Sequence, residues 1–196
     1  MFRIPYYLFS AHFSCFCLIT ICLSQNAAFA KSMTDAMTLP NNFKSTLDTR
    51  KFVSIGETTF SFLFWDLYKS QLLTTSGKYP IEIEKDNLLL DINYLADISS
   101  DDLIERTIEQ WQHLGITPEK YQDYLPELKA IWPNITDGDS LTLLIHQGRS
   151  VFYFNQQYVG VINDAKFGQM FLAIWLSENT SEPSLRHELL GGIKDE

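Results

Sequence analysis

The chain has 196 residues, 45% hydrophobic and 14% aromatic, with a formal net charge of −9. That length is enough for a substantial core, since a domain of about 150 residues buries roughly two-thirds of its unfolded surface. The acidic balance, with no basic stripe, repels phosphate backbones and anionic membranes, so nucleic acid is not an expected partner.

The chain opens with Arg3, an apolar stretch from Phe13 to Leu23, and then Ala28-Phe29-Ala30. A short positive region, an apolar core and an A-x-A end make a cleavable secretory signal, so residues 1–30 are expected to be removed after Ala30. The expected location is then the periplasm or the extracellular space. Cys22 follows Ile21 rather than a small residue, which argues against a lipoprotein anchor. All three cysteines (Cys15, Cys17 and Cys22) lie in this leader, so the remaining chain has no thiol for a disulfide, a nucleophile or a metal. Losing the leader removes Arg3 and no acid, making the chain one unit more negative. Residues 31–49 read as a polar N-terminal arm and 50–196 as one domain. Beyond the leader the longest apolar run, Met170 to Leu176, is too short to span a bilayer.

From Lys51 to Leu73 the chain is rich in β-branched and aromatic residues. Both parities are apolar between residues 60 and 68, predicting a central strand covered on both faces. Ser76 to Pro80 reads as a turn, and Leu88 to Ile98 as a second strand. Leu103, Ile104, Thr107, Ile108, Trp111 and Leu114 then recur at helical spacing, with Ser99 and Asp102 at the start and Gly115 at the end. Thr117-Pro118 begins a further helix with the stripe Tyr121, Tyr124, Leu125, Leu128 and Trp132, kinked or divided at Pro126 and stopped at Pro133. Three strands follow, Leu141–His146, Val151–Phe154 and Tyr158–Ile162, joined by turns at Gln147–Ser150 and Asn155–Gln157. Asn163 or Asp164 caps a helix carrying Phe167, Met170, Phe171, Ile174 and Trp175, and Ser184–Leu190 forms a last helix before Gly191-Gly192. Segregated runs of strands and helices predict an α+β fold with an antiparallel sheet and helices packed on one face.

None of the common nucleophile, phosphate-loop, dinucleotide or zinc-protease motifs is present. His113, His146 and His187 share no ligand spacing, and Asp101, Asp102 and Glu105 sit where a helix start favours negative charge. Neither a metal nor a cofactor is expected. The aromatic residues fit two readings: a packed aromatic core, or rings lining an apolar cleft between sheet and helices.

Several blocks resemble the bacterial chalcone isomerase-like family. They are Gly56 with Phe60 to Tyr68, Tyr94 to Ser99, Gly138 to Leu141, Phe152 to Asn155 with Gly160, Phe171 to Leu176, and Leu185-Arg186 with Leu189-Leu190-Gly191. The resemblance covers roughly residues 50–191 and implies an open-faced antiparallel β-sandwich with a helical layer and a ligand cleft between the two. Relatives of this fold, the plant isomerases and fatty-acid-binding proteins, place an arginine shortly after a glycine on an early strand to hold the ligand's negative charge. Here the position after Gly56 reads Thr58, whose hydroxyl offers ~1 kcal/mol against ~1.5–3 for a charged partner. Arg50 lies eight residues back, about 26 Å along an extended strand. The tyrosine that assists the plant enzyme has no counterpart at Asp101-Asp102-Leu103.

The resemblance therefore implies the fold without the plant mechanism, and the expected activity is non-catalytic binding of a small apolar or lipid-like ligand. Two other readings stay open. One is a cell-envelope interaction module with a protein partner; the other is an isomerase or lyase in which Asp66 or Tyr68 moves a proton. The strand parity Thr58, Phe60, Phe62, Phe64, Asp66 and Tyr68 is the expected ligand-binding face. With Asp66 repelling a carboxylate and no arginine beside it, that face suits a neutral or weakly polar ligand.

Overall fold

In the computed structural model, the described residues are 51–192 apart from 63, 83 and 84. The predicted leader and arm lie outside them.

Six strands form one antiparallel sheet whose spatial order follows the chain: β1 (Val53–Phe62), β2 (Trp65–Thr74), β3 (Leu88–Tyr94), β4 (Ser140–His146), β5 (Arg149–Phe154) and β6 (Gln157–Ile162). Between β3 and β4 the chain leaves the sheet to make α1 (Ser100–His113), α2 (Pro118–Tyr121), a 3-10 turn and α3 (Leu125–Ile131). After β6 come α4 (Ala165–Leu176) and α5 (Pro183–Leu189). The architecture is the expected α+β open sheet with a helical layer.

The predicted helix starts are in place. The Ser99 hydroxyl accepts the Asp102 backbone N–H at 3.1 Å, and Asp164 accepts that of Lys166 at 2.9 Å. Pro126 lies in the first turn of α3, where its missing N–H costs nothing. Each hairpin turn has one residue suited to its backbone, Gly148 in the first and Asn155 in the second. Gln147 and Gly148 both have positive φ, as do Asn155 and Gln156, the backbone that two-residue hairpins demand.

One expectation fails. Residues 51–73 are not a single central strand but two, β1 and β2, which reverse direction between Phe62 and Trp65 at the sheet edge. Phe60 pairs with Tyr68 and Phe62 with Trp65, with a register shift after Phe60. The doubly apolar pattern therefore does not mark double coverage. It marks a hairpin end whose rings stand in solvent: Phe62 is 61%, Phe64 96% and Trp65 73% exposed.

The main core lies between sheet and helices. From the sheet it takes Leu72, Leu88, Leu90, Ile92, Leu141, Leu143, Ile145 and Phe152, one parity of the central strands. The helices contribute Trp111, Leu128, Phe167, Phe171 and Leu189. Trp111 stacks on Tyr121 at 5.2 Å between centroids and donates its indole N–H to the Met170 carbonyl at 3.1 Å, which ties α1 to α2 and α4.

Helix α5 docks backbone to backbone against β1. A Cβ on Gly56 would lie 2.6 Å from the Leu189 carbonyl oxygen, and one on Gly191 would lie 2.5 Å from that of Ile55. Both positions admit glycine alone.

Candidate functional site

The core is not filled throughout. Toward the β1–β2 end a cavity of about 590 Å³ opens between sheet and helices, within the ~300–1,000 Å³ usual for small-molecule sites. Ile92, Leu141, Leu143 and Phe152 form its floor, and Phe171, Ile174 and Trp175 of α4 with Leu103 and Thr107 of α1 form its roof. Both aromatic readings of the sequence therefore apply, since Phe152 and Phe171 serve the packed core and the cavity wall alike.

The predicted face is split. Phe60, Phe62 and Tyr68 line the cavity. Thr58 does not: it is buried, and its hydroxyl donates to Glu188 of α5 at 2.5 Å. Phe64 is almost wholly exposed at the hairpin end, and Asp66 accepts a hydrogen bond from Ser61 at 2.6 Å in an exposed position. Neither is among the lining residues. The strand parity broke because the chain reverses after Phe62, so residues beyond the turn no longer continue the face that β1 began.

Apart from Tyr68, the cavity's polar groups come from elements the parity did not include. Tyr68 and Tyr94 line it with ring centroids 6.1 Å apart. Burial pushes the Tyr68 phenol above its ordinary value, the Trp175 indole opposes that shift, and Glu182 adds to it. Tyr94 is raised as well, by burial and then by its neighbour Tyr68. Both phenols therefore hold their protons at neutral pH and can donate. The indole N–H groups of Trp132 and Trp175 are buried and find no acceptor among the described residues. Leaving such a donor unmet costs about 1–3 kcal/mol, and both tryptophans belong to the cavity lining.

The charged residues correct a second expectation. Arginine is present: Arg186 of α5, 9% exposed, lines the cavity while its Nε donates to the Leu176 carbonyl at 3.0 Å. Arg106 of α1 also lines it, paired with Glu109 at 2.6 Å. Asp97, Asp102, Glu109 and Glu182 supply acids to the same lining. A cation on the apolar face of a short helix, Leu185-Arg186 before Leu189, was the sequence signal for Arg186. The orphaned indoles had no such signal, because tertiary packing decides whether an N–H meets an acceptor.

Among the described residues no cluster of His, Cys, Asp and Glu could hold a metal ion, and no helix is long and apolar enough to cross a membrane.

A family model described as chalcone isomerase-like matches residues 40–191. An uncharacterized protein of Haemophilus influenzae is 28% identical over 140 residues, spanning 71% of this chain and 68% of that one. Among solved structures, the crystal structure of a fatty-acid binding protein from Arabidopsis thaliana superposes with a TM-score of 0.56 at 11% identity, covering 71% of this chain and 86% of that one. At that identity the likeness is one of fold.

Proposed function

The chain belongs to the chalcone isomerase-like family, and from that premise we propose that it binds a small apolar or lipid-like molecule in the cavity without transforming it. The observation that carries this reading is the cavity itself: about 590 Å³, walled by aliphatic and aromatic side chains, with the protonated phenols of Tyr68 and Tyr94 in its lining. A ligand with an apolar body and one acceptor head, such as a carbonyl or ester, would fill the volume and accept a hydrogen bond from the phenols. That the similar plant structure is a fatty-acid binding protein supports the reading.

Absence of catalysis is supported by the place of Thr58. Where the resemblance implies an arginine facing the ligand, this residue is turned to Glu188 outside the cavity lining. The phenols that do face the cavity are shifted away from neutral pH and make poor bases. Acids outnumber arginines in the lining, four to two, which favours a neutral head over a free carboxylate.

Export belongs to the same proposal. The leader ends at Ala30, and the working protein starts at Lys31 in the periplasm or outside the cell. Native mass spectrometry of protein purified gently from its own compartment tests both parts. The expected spectrum shows a chain beginning at Lys31 with an added small mass that organic solvent removes. A bare chain that also takes up neither a long-chain ester nor a fatty acid would overturn the binding reading. Uptake of the free acid in preference to the ester would overturn the choice of head group.

A further inference from the structure

Phe62, Phe64 and Trp65 make up three of the five large exposed hydrophobic side chains among the described residues, and all three sit at one hairpin reversal. Single exposed apolar residues need no explanation, but a cluster on one projection marks an interaction site. We propose that this hairpin end is a docking wedge for the surface of an electrically neutral lipid bilayer.

Three features select that partner. The cluster sits at the reversal of a hairpin at the edge of the sheet, where among the described residues β1 has β2 as its one neighbour. Such a shape inserts into a soft interface, whereas an aromatic anchor for a protein would need a matching pocket. Phenylalanine and tryptophan are the residues that settle at the boundary of headgroups and acyl chains. The charge disfavours an electrostatic anchor: from Glu57 to Lys69 the hairpin carries two acids and one base, on a molecule of net charge −9. An anionic surface would repel it, and a neutral one would not.

Phe62 also lines the cavity while standing 61% exposed, so the wedge adjoins the cavity mouth. A ligand drawn from the bilayer would cross only a short aqueous gap. This delivery role rests on the proposed cavity function; the docking itself rests on the hairpin alone.

Flotation of the purified protein with phosphatidylcholine vesicles tests the docking. The parent is expected to float, and Phe64→Ser/Trp65→Ser should cut the bound fraction by about tenfold or more, because each buried ring contributes about that factor. The thermal midpoint should stay unchanged, since both side chains are exposed. Adding phosphatidylserine should weaken flotation. No flotation of the parent, equal flotation of the variant, or stronger binding to anionic vesicles would each overturn the proposal. So would a concentration-dependent dimer that the variant abolishes while no vesicle binding occurs, which would assign the rings to a second copy. An apolar probe binding in solution separates the two readings: its absence with flotation intact removes the delivery role and leaves the docking.

Discussion

Thr58 on β1 donates its hydroxyl to Glu188 on α5 at 2.5 Å, joining residues 130 apart in sequence. The bond forms where Gly56 and Gly191 let the two backbones meet. The position that resemblance to the plant proteins would give to ligand chemistry serves here to seat the last helix.

That seat predicts an ordering of stabilities. Gly56→Ala pushes a methyl into the Leu189 carbonyl and Gly191 amide, and overpacking against backbone should cost about 1–3 kcal/mol or more. Thr58→Val removes one hydrogen bond and leaves the exposed Glu188 carboxylate to water, so its cost should be nearer ~1 kcal/mol. Urea denaturation of the two variants checks the order. Equal, negligible losses would mean that α5 is not held this way.

Because Thr58 is outside the cavity lining, the protein should not cyclise chalcones above the spontaneous rate. A chalcone absorbance assay decides it. Turnover lost on replacing Tyr68 would show that the phenol is a catalyst after all.

The Tyr124–Asp164 pair predicts a pH dependence at both extremes. Asp164 accepts from the Tyr124 hydroxyl at 2.6 Å and from the Lys166 amide. These bonds hold its carboxyl below the usual range, while Tyr124 is pushed up to about 12 from 10.0, chiefly by the bond to Asp164. A depressed carboxyl adds stability above its unfolded pKa and loses it as pH falls through the folded one. A raised phenol adds stability below its unfolded value and loses it as pH climbs from about 10 toward 12. Thermal melts across pH should show that Tyr124→Phe flattens both limbs. Asp164→Ala, which also loses the cap of α4, should cost about 0.5–2 kcal/mol at neutral pH.

Tyr94 should be silent where ordinary tyrosines ionise, since burial lifts it well above 10.0. In an ultraviolet titration, Tyr94→Phe should leave the absorbance rise near pH 10 unchanged. A smaller rise near pH 10 in the variant would mean that the Tyr94 hydroxyl is wet.

Much of the fold was legible from the chain. Ser99 with Asp102, and Asp164 before an apolar stripe, mark helix starts by local hydrogen bonding, while Gly148 and Asn155 mark reversals by their tolerance of positive φ. The first hairpin was illegible for the same reason inverted. Phe62-Leu63-Phe64-Trp65 contains no Gly, Pro, Asn or Asp, and its alternation runs through the turn as if the strand continued. That error carried into the site. Phe60, Phe62 and Tyr68 line the cavity, but Phe64 and Asp66 were assigned by a parity that the reversal had ended. Tyr94, Trp132, Trp175 and Arg186 come from four other segments, and only the packing of helices over the sheet brings them together.

The central claim is that the space above Leu143 is open to a ligand rather than a packed core. Leu143 is 3% exposed and lines the cavity floor, so Leu143→Trp directs added bulk into that space. Binding of an apolar fluorescent probe, measured beside thermal unfolding in parent and variant, tests the claim most directly. The parent is expected to bind the probe, and the variant to lose binding while its stability is unchanged or raised. A parent that binds no probe, with a variant destabilised by the ~1–3 kcal/mol of an overpacked core, would contradict it.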